Sequence, residues 1–125
     1  MRLLVVRHGK TDWNIQGRVQ GTVNTNINLE GINQAEEMAE KLKDEKIDLI
    51  ISSPLNRALQ TASIINRGKT TIITDDRIIE RDFGEFEGLR KDEYDVKSFW
   101  NYNKNIKYEK AENVRDLFKR VYDFL

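Results

Sequence analysis

Three residue types able to handle a phosphoryl group stand where apolar runs end. Leu3-Leu4-Val5-Val6 stops at Arg7-His8-Gly9, and His8 is the only histidine in the chain. The run Ile47 to Ile51 leads into Ser52-Ser53-Pro54 and, in the first turn of a predicted helix, Arg57; Ile72-Ile73 leads toward Glu80. If the strands are neighbours, Arg7 and Arg57 converge beside His8 at one edge of a sheet, where α/β proteins keep ligand sites. Guanidinium groups match phosphoryl oxygens bidentately, and a helix starting near Pro54 adds its positive end. A neutral His8 can attack phosphorus through one ring nitrogen if the other keeps its proton, held by a backbone carbonyl. The leaving oxygen needs a proton, and Glu80 is placed to deliver it. Each residue also has an ordinary reading: a structural histidine, a solvated helix arginine, a surface carboxylate beside Arg81.

The elements that must position these residues alternate. Leu3 to Val6 reads as a fully buried strand. Residues 9–28, rich in Gly, Asn, Thr and Gln, read as a long loop of the kind that is usually either functional or disordered. Ile32, Ala35, Met38, Ala39 and Leu42 predict an amphipathic helix over residues 29–45 with Asn28 as N-cap. A second strand over 47–51 runs into a helix with Ser53 as N-cap and Pro54 at its first position, buried through Leu55, Ala58, Leu59, Ala62 and Ile65 and stopped at Gly68. A short strand at Ile72-Ile73, a loop from Asp82 to Gly88, a weak aromatic-rich helix over 92–102 and a helix over 114–125 complete the chain. The order strand, helix, strand, helix, strand implies a parallel α/β sheet with right-handed crossovers.

The totals set limits. At 125 residues the chain is expected to be a single domain, 1–125. Its 21 basic and 21 acidic residues balance, which argues against nucleic acid as a partner. Without cysteine there is no disulfide framework or thiolate nucleophile, and one histidine cannot make a histidine-rich zinc site. The four-residue apolar run near the amino terminus is too short for a signal-peptide core or a membrane span, so a cytoplasmic protein without membrane association is expected.

Four ordered motifs carry a family resemblance. Arg7-His8-Gly9-Lys10-Thr11-Asp12-Trp13-Asn14 matches RHGxTxxN; Gln20-Gly21 and Gly31-Ile32-Asn33-Gln34-Ala35 follow. Ser52-Ser53-Pro54-Leu55-Asn56-Arg57-Ala58-Leu59-Gln60-Thr61-Ala62 matches SSPLxRAxxTA, and Ile78 to Gly88 matches a block typically reading LxExxFGxWEG. The sequence resembles the histidine phosphatase superfamily, the phosphoglycerate mutase-like proteins. The resemblance implies a three-layer α/β sandwich with a mostly parallel central sheet and helices on both faces. It also implies His8 as phosphoryl acceptor, Glu80 as proton donor, Arg7, Asn14, Gln20, Gly21 and Arg57 as substrate contacts, and no metal or organic cofactor.

The chain departs from the family pattern in three places. Asn24 stands where Asp is usual and Asn26 where Pro is frequent. The family's second histidine, in an HG motif on a later strand, has no counterpart; Ala111-Glu112-Asn113 and the following helix look like the approach to that strand. The expectation is therefore a carboxy-terminally incomplete domain with an unpaired sheet edge, of low stability and prone to homo-oligomerise.

The expected activity is a phosphomonoesterase working through a phosphohistidine on a small phosphorylated substrate, with inorganic phosphate as the other ligand. The alternatives are a phosphoglycerate mutase and a weakly active or inactive phosphate-binding remnant. Phe83-Gly84-Glu85-Phe86-Glu87-Gly88 is closer to the phosphatase branch. Specificity is expected in residues 89–109, where Tyr94, Trp100, Tyr102, Lys104 and Lys107 read equally well as ordinary packing or surface residues.

Overall fold

The computed structural model describes all 125 residues. Five helices and two strands are formed: α1 (Asp12–Ile15), α2 (Leu29–Lys41), β1 (Ile50–Ser52), α3 (Asn56–Asn66), β2 (Ile72–Thr74), α4 (Val96–Phe99) and α5 (Val114–Phe124), with 3-10 turns at Asp76–Ile78 and Gly84–Phe86. The strands pair in parallel, Ile50 beside Ile72 and Ser52 beside Thr74, joined through α3 as the alternation of elements requires. Helix α2 packs on α3, α3 on β1, and α5 on the Asp76–Ile78 turn.

Local chemistry explains most boundaries. The Asn28 side chain accepts from the Gly31 N–H at the start of α2, and Asn113 caps α5 by accepting from Asp116 N–H. Helix α3 ends where Arg67 and Gly68 both take positive φ, 49° and 71°, of which only the glycine adopts it without steric cost. The start of α3 differs from expectation: Leu55, not Ser53, is the N-cap residue. The Ser53 hydroxyl accepts from Leu55 N–H in a preceding turn, and Asn24 Oδ1 takes the Asn56 N–H at 2.7 Å.

The predicted first strand is not formed. Leu3 to Val6 has no ladder partner and Val5 is 86% exposed; the sheet consists of β1 and β2 alone. The core lies elsewhere. Val19, Phe83 and Phe99 are buried with Phe86, Tyr94 and Tyr108 packed against them, the Phe99 and Tyr108 rings stacked at 4.1 Å. Tyr94 packs against this cluster, while Trp100, 48% exposed, meets the Phe83 ring edge-on. Between 92 and 102 only the single turn of α4 is helical.

The buried face of α3 is polar. Arg57, Thr61 and Asn66 are enclosed along with the N-cap residue Leu55, whereas Ala58, Leu59, Ala62 and Ile65 are half-buried. Ile32, predicted for the inner face of α2, is exposed, and Ala35 and Ala39 are enclosed. No helix is long and apolar enough to cross a membrane.

Candidate active site

His8 sits half-buried between the unpaired amino-terminal run and α1. Its Nδ1 lies 2.7 Å from the Gly9 carbonyl oxygen; only a protonated Nδ1 can donate there, which leaves the Nε2 lone pair free. Burial lowers the His8 pKa, the Gly9 carbonyl opposes it, and the charges of Arg57 and Arg7 lower it further, with Glu80 pulling the other way. The net result favours the neutral ring.

Backbone contacts hold the His8 loop in place. Gly9 N–H donates to Thr61 Oγ1 at 2.9 Å, and that hydroxyl donates to the Arg57 carbonyl at 2.8 Å, so one turn of α3 carries both the arginine and the loop anchor. Gly9 also touches Gly31 backbone to backbone: a Cβ on Gly9 would lie 2.5 Å from the Gly31 carbonyl oxygen. Thr11, fully buried, caps α1, and its N–H donates to Asn14 Oδ1 at 2.9 Å. This assigns the amide and turns Asn14 Nδ2 away as a donor without a protein partner.

Arg57 is 2% exposed and braced by the loop. Its Nη1 donates to the Val23 carbonyl at 2.7 Å and its Nη2 to the Gly21 carbonyl at 2.6 Å, leaving Nε–H without a protein acceptor. Burial lowers its pKa, against the charges of Glu80 and Glu87, and it remains a cation. Gln20 and Gly21 therefore serve the loop: Gln20 Oε1 accepts from both the Thr11 and Thr25 hydroxyls at 2.6 Å, and Gly21, at φ 54°, presents its carbonyl to Arg57. A side chain on Gly21 would strike the Glu87 carboxylate, whose Oε1 accepts from Thr22 N–H at 2.7 Å. The departures at Asn24 and Asn26 bond to α3, at Asn56 and Gln60, away from His8.

Arg7, His8 and Asn14 line one cleft of about 460 Å³, together with Lys10, Thr61 and Lys91. Arg57 and Glu80 do not line it; they act on His8 through their charges. Glu80 is exposed, and its Oε1 accepts from Arg81 N–H at 2.8 Å, which fixes the carboxylate and leaves Oε2 free. Sequence reasoning missed Thr61, Lys10, Lys91 and Glu87 as contributors. Thr61 lies four residues after Arg57, one helical turn along the same face, and that spacing was the available signal. No group of three or more His, Asp or Glu side chains is placed to hold a metal ion.

The fold is α/β, and it sets a histidine with one ring nitrogen tied to a carbonyl near the charges of two arginines. A sequence profile of the histidine phosphatase superfamily (branch 1) matches residues 3–125, and the chain belongs to that family. It is 40% identical over 118 residues to an uncharacterized phosphatase, PhoE, of Bacillus subtilis, covering 94% of this chain and 58% of the relative. It is 35% identical over 128 residues to a 2,3-bisphosphoglycerate-dependent phosphoglycerate mutase of Nautilia profundicola, covering 98% of this chain and 51% of the relative. Among solved structures, Bacillus stearothermophilus YhfR superposes with a TM-score of 0.84 at 28% identity, over 94% of this chain and 62% of that one. The chain thus spans between half and two thirds of the length of these proteins.

Proposed function

We propose that the chain carries the phosphoryl-accepting part of a cytoplasmic phosphomonoesterase acting on a small phosphorylated metabolite. The single observation that carries this reading is the Nδ1–Gly9 carbonyl contact, which presents a neutral Nε2 beside the Arg7 and Arg57 charges. In the first step Nε2 attacks phosphorus, the P–O bond to the substrate breaks, and protonated Glu80 gives its proton from Oε2 to the departing oxygen. In the second, water loses a proton to Glu80 as its oxygen bonds to phosphorus, the N–P bond breaks, and inorganic phosphate leaves. Arg7, the Nε–H of Arg57 and Asn14 Nδ2 offer donors for the phosphoryl oxygens.

Release of phosphate from an aryl phosphate tests the reading, with His8→Ala as the control. Turnover abolished by His8→Ala is expected; hydrolysis that survives it overturns the nucleophile assignment. A mutase reading draws on the relative of that name, and on it the phosphoryl group would return to a substrate hydroxyl instead of passing to water. Transfer between phosphoglycerates that outpaces phosphate release would favour it. Binding of phosphate esters without turnover would favour a phosphate-binding remnant.

A further inference from the structure

The segment that carries Glu80 is held on both flanks by arginines that do not line the cleft. On the amino-terminal side, Arg120 of α5 reaches across with Nη1 to the Ile79 carbonyl at 2.7 Å and to the Arg77 carbonyl at 2.9 Å. On the carboxy-terminal side, the fully buried Arg81 donates from Nε to the Glu112 carbonyl at 2.9 Å and from Nη1 to the Phe99 carbonyl. Its guanidinium carbon lies 5.4, 5.2 and 5.1 Å from the ring centres of Phe83, Phe99 and Trp100. Glu112 joins the two flanks. Its carboxylate grips Arg120 bidentately at 2.6 and 2.9 Å, its carbonyl takes Arg81, and its N–H donates to the Asp82 carbonyl at 2.8 Å.

The cost of this arrangement argues against a purely incidental role. Arg81 is a buried cation with no carboxylate bonded to it, and its Nη2 has no acceptor. A hydrophobic residue would fill the same aromatic space without that penalty. What the guanidinium adds is direction: it fixes the backbone of residue 81, and it is the N–H of that residue that orients the Glu80 carboxylate.

We infer that Arg81, Glu112 and Arg120 are positioning residues for proton donation by Glu80, a backbone clamp that sets where Oε2 stands relative to the leaving oxygen. The inference rests on the proposed role of Glu80. It gives residues 111–120 a part in catalysis although none of them touches substrate. A misplacement of about 1 Å in a proton donor is enough to cost on the order of a hundredfold in rate.

Leaving-group dependence tests it, because a nitrophenolate departs without a proton whereas an alkoxide does not. Rates of Glu112→Gln and Arg120→Lys are to be measured on a nitrophenyl phosphate and on an alkyl phosphate, with Glu80→Gln as the reference and circular dichroism to confirm folding. The expected result is a loss of about tenfold or more on the alkyl ester, with the nitrophenyl ester within about twofold, the pattern of Glu80→Gln at smaller size. The double variant Glu80→Gln/Glu112→Gln should lose no further selectivity. Equal losses on both esters, or none, in folded Glu112→Gln and Arg120→Lys overturn the inference while leaving Glu80 as donor. A Glu80→Gln variant without leaving-group selectivity, or an unmodified chain without turnover, overturns the reading of the site and the inference with it. If Glu112→Gln does not fold, Arg120→Lys alone decides by the same criteria.

Discussion

His8 resists protonation because folding removes it partly from water and sets two guanidinium groups near it. Its folded pKa therefore lies below the ordinary 6.5 that the unfolded chain retains. Above pH 6.5 both states are neutral at this residue and it adds nothing to the pH dependence. As pH falls through 6.5 the unfolded chain takes up a proton that the native chain refuses, so stability declines on the acid side. Thermal melts between pH 7.5 and 5 should show a steeper loss for the unmodified chain than for His8→Asn; parallel curves would contradict the lowered pKa. Gly9→Ala tests the loop on which His8 stands. The added methyl would meet the Gly31 carbonyl at 2.5 Å, backbone that cannot swing away, and should cost about 1–3 kcal/mol in denaturant unfolding. A Gly9→Ala variant as stable as the unmodified chain would mean that the approach of the two glycines is not maintained in solution.

Elements with strong local signals were legible in the sequence, and those decided by distant partners were not. Helices α2 and α5 follow from apolar periodicity; the Asn28 cap expected for α2 is formed, and the structure adds Asn113 as the cap of α5. Replacing Asn28 or Asn113 by Ala should each lower stability by about 1 kcal/mol, measured by urea unfolding, with little change in slope. Helix α1 is four residues long and rests on the Thr11–Asn14 capping box within a stretch whose composition says loop. The face of α3 departs from its periodicity for a physical reason. Alanines suggest the inner side, but Arg57 and Thr61 are drawn inward by carbonyls and N–H groups of the 9–25 loop, which periodicity cannot anticipate. The site shows the same divide. His8, Arg57 and Glu80 stand out from residue type at element ends, whereas the clamp through Glu112 and Arg120 depends on how α5 docks. Gly21 presents its carbonyl to Arg57, Gln20 accepts from the Thr11 and Thr25 hydroxyls, and neither lines the cleft that holds His8.

At the scale of the whole molecule, the apolar interior is small for 125 residues: seven apolar side chains are buried, and seven polar or charged ones share the interior with them. Leu3, Leu4, Val5 and Val6 are 60, 43, 86 and 39% exposed, and their backbone makes no ladder. One edge of β1 is likewise free, since β2 occupies only the other. An apolar segment with unpaired N–H and C=O groups is a template for strand addition. A second copy, carrying the same two unpaired stretches, is the proposed occupant. Sedimentation velocity should show concentration-dependent association, reduced in Val5→Lys; a stable monomer across the micromolar range would refute it. The chain should also melt with a lower enthalpy per residue than a domain with a full core.

The backbone contact between Gly9 and Gly31 gives the first turn of α2 a direct mechanical link to the histidine loop. Because His8 is the only imidazole in the chain, its ring protons form a single, isolated pair of magnetic resonance signals. Those signals will report the docking of α2 as well as the ionisation of the ring. Undocking of the helix moves Gly9, frees Nδ1 from the carbonyl and shifts the resonance toward its value in an unfolded peptide. A substitution at a distant α2 position, such as Ala39, can thus be ranked by its effect on one proton line, without any assay of turnover.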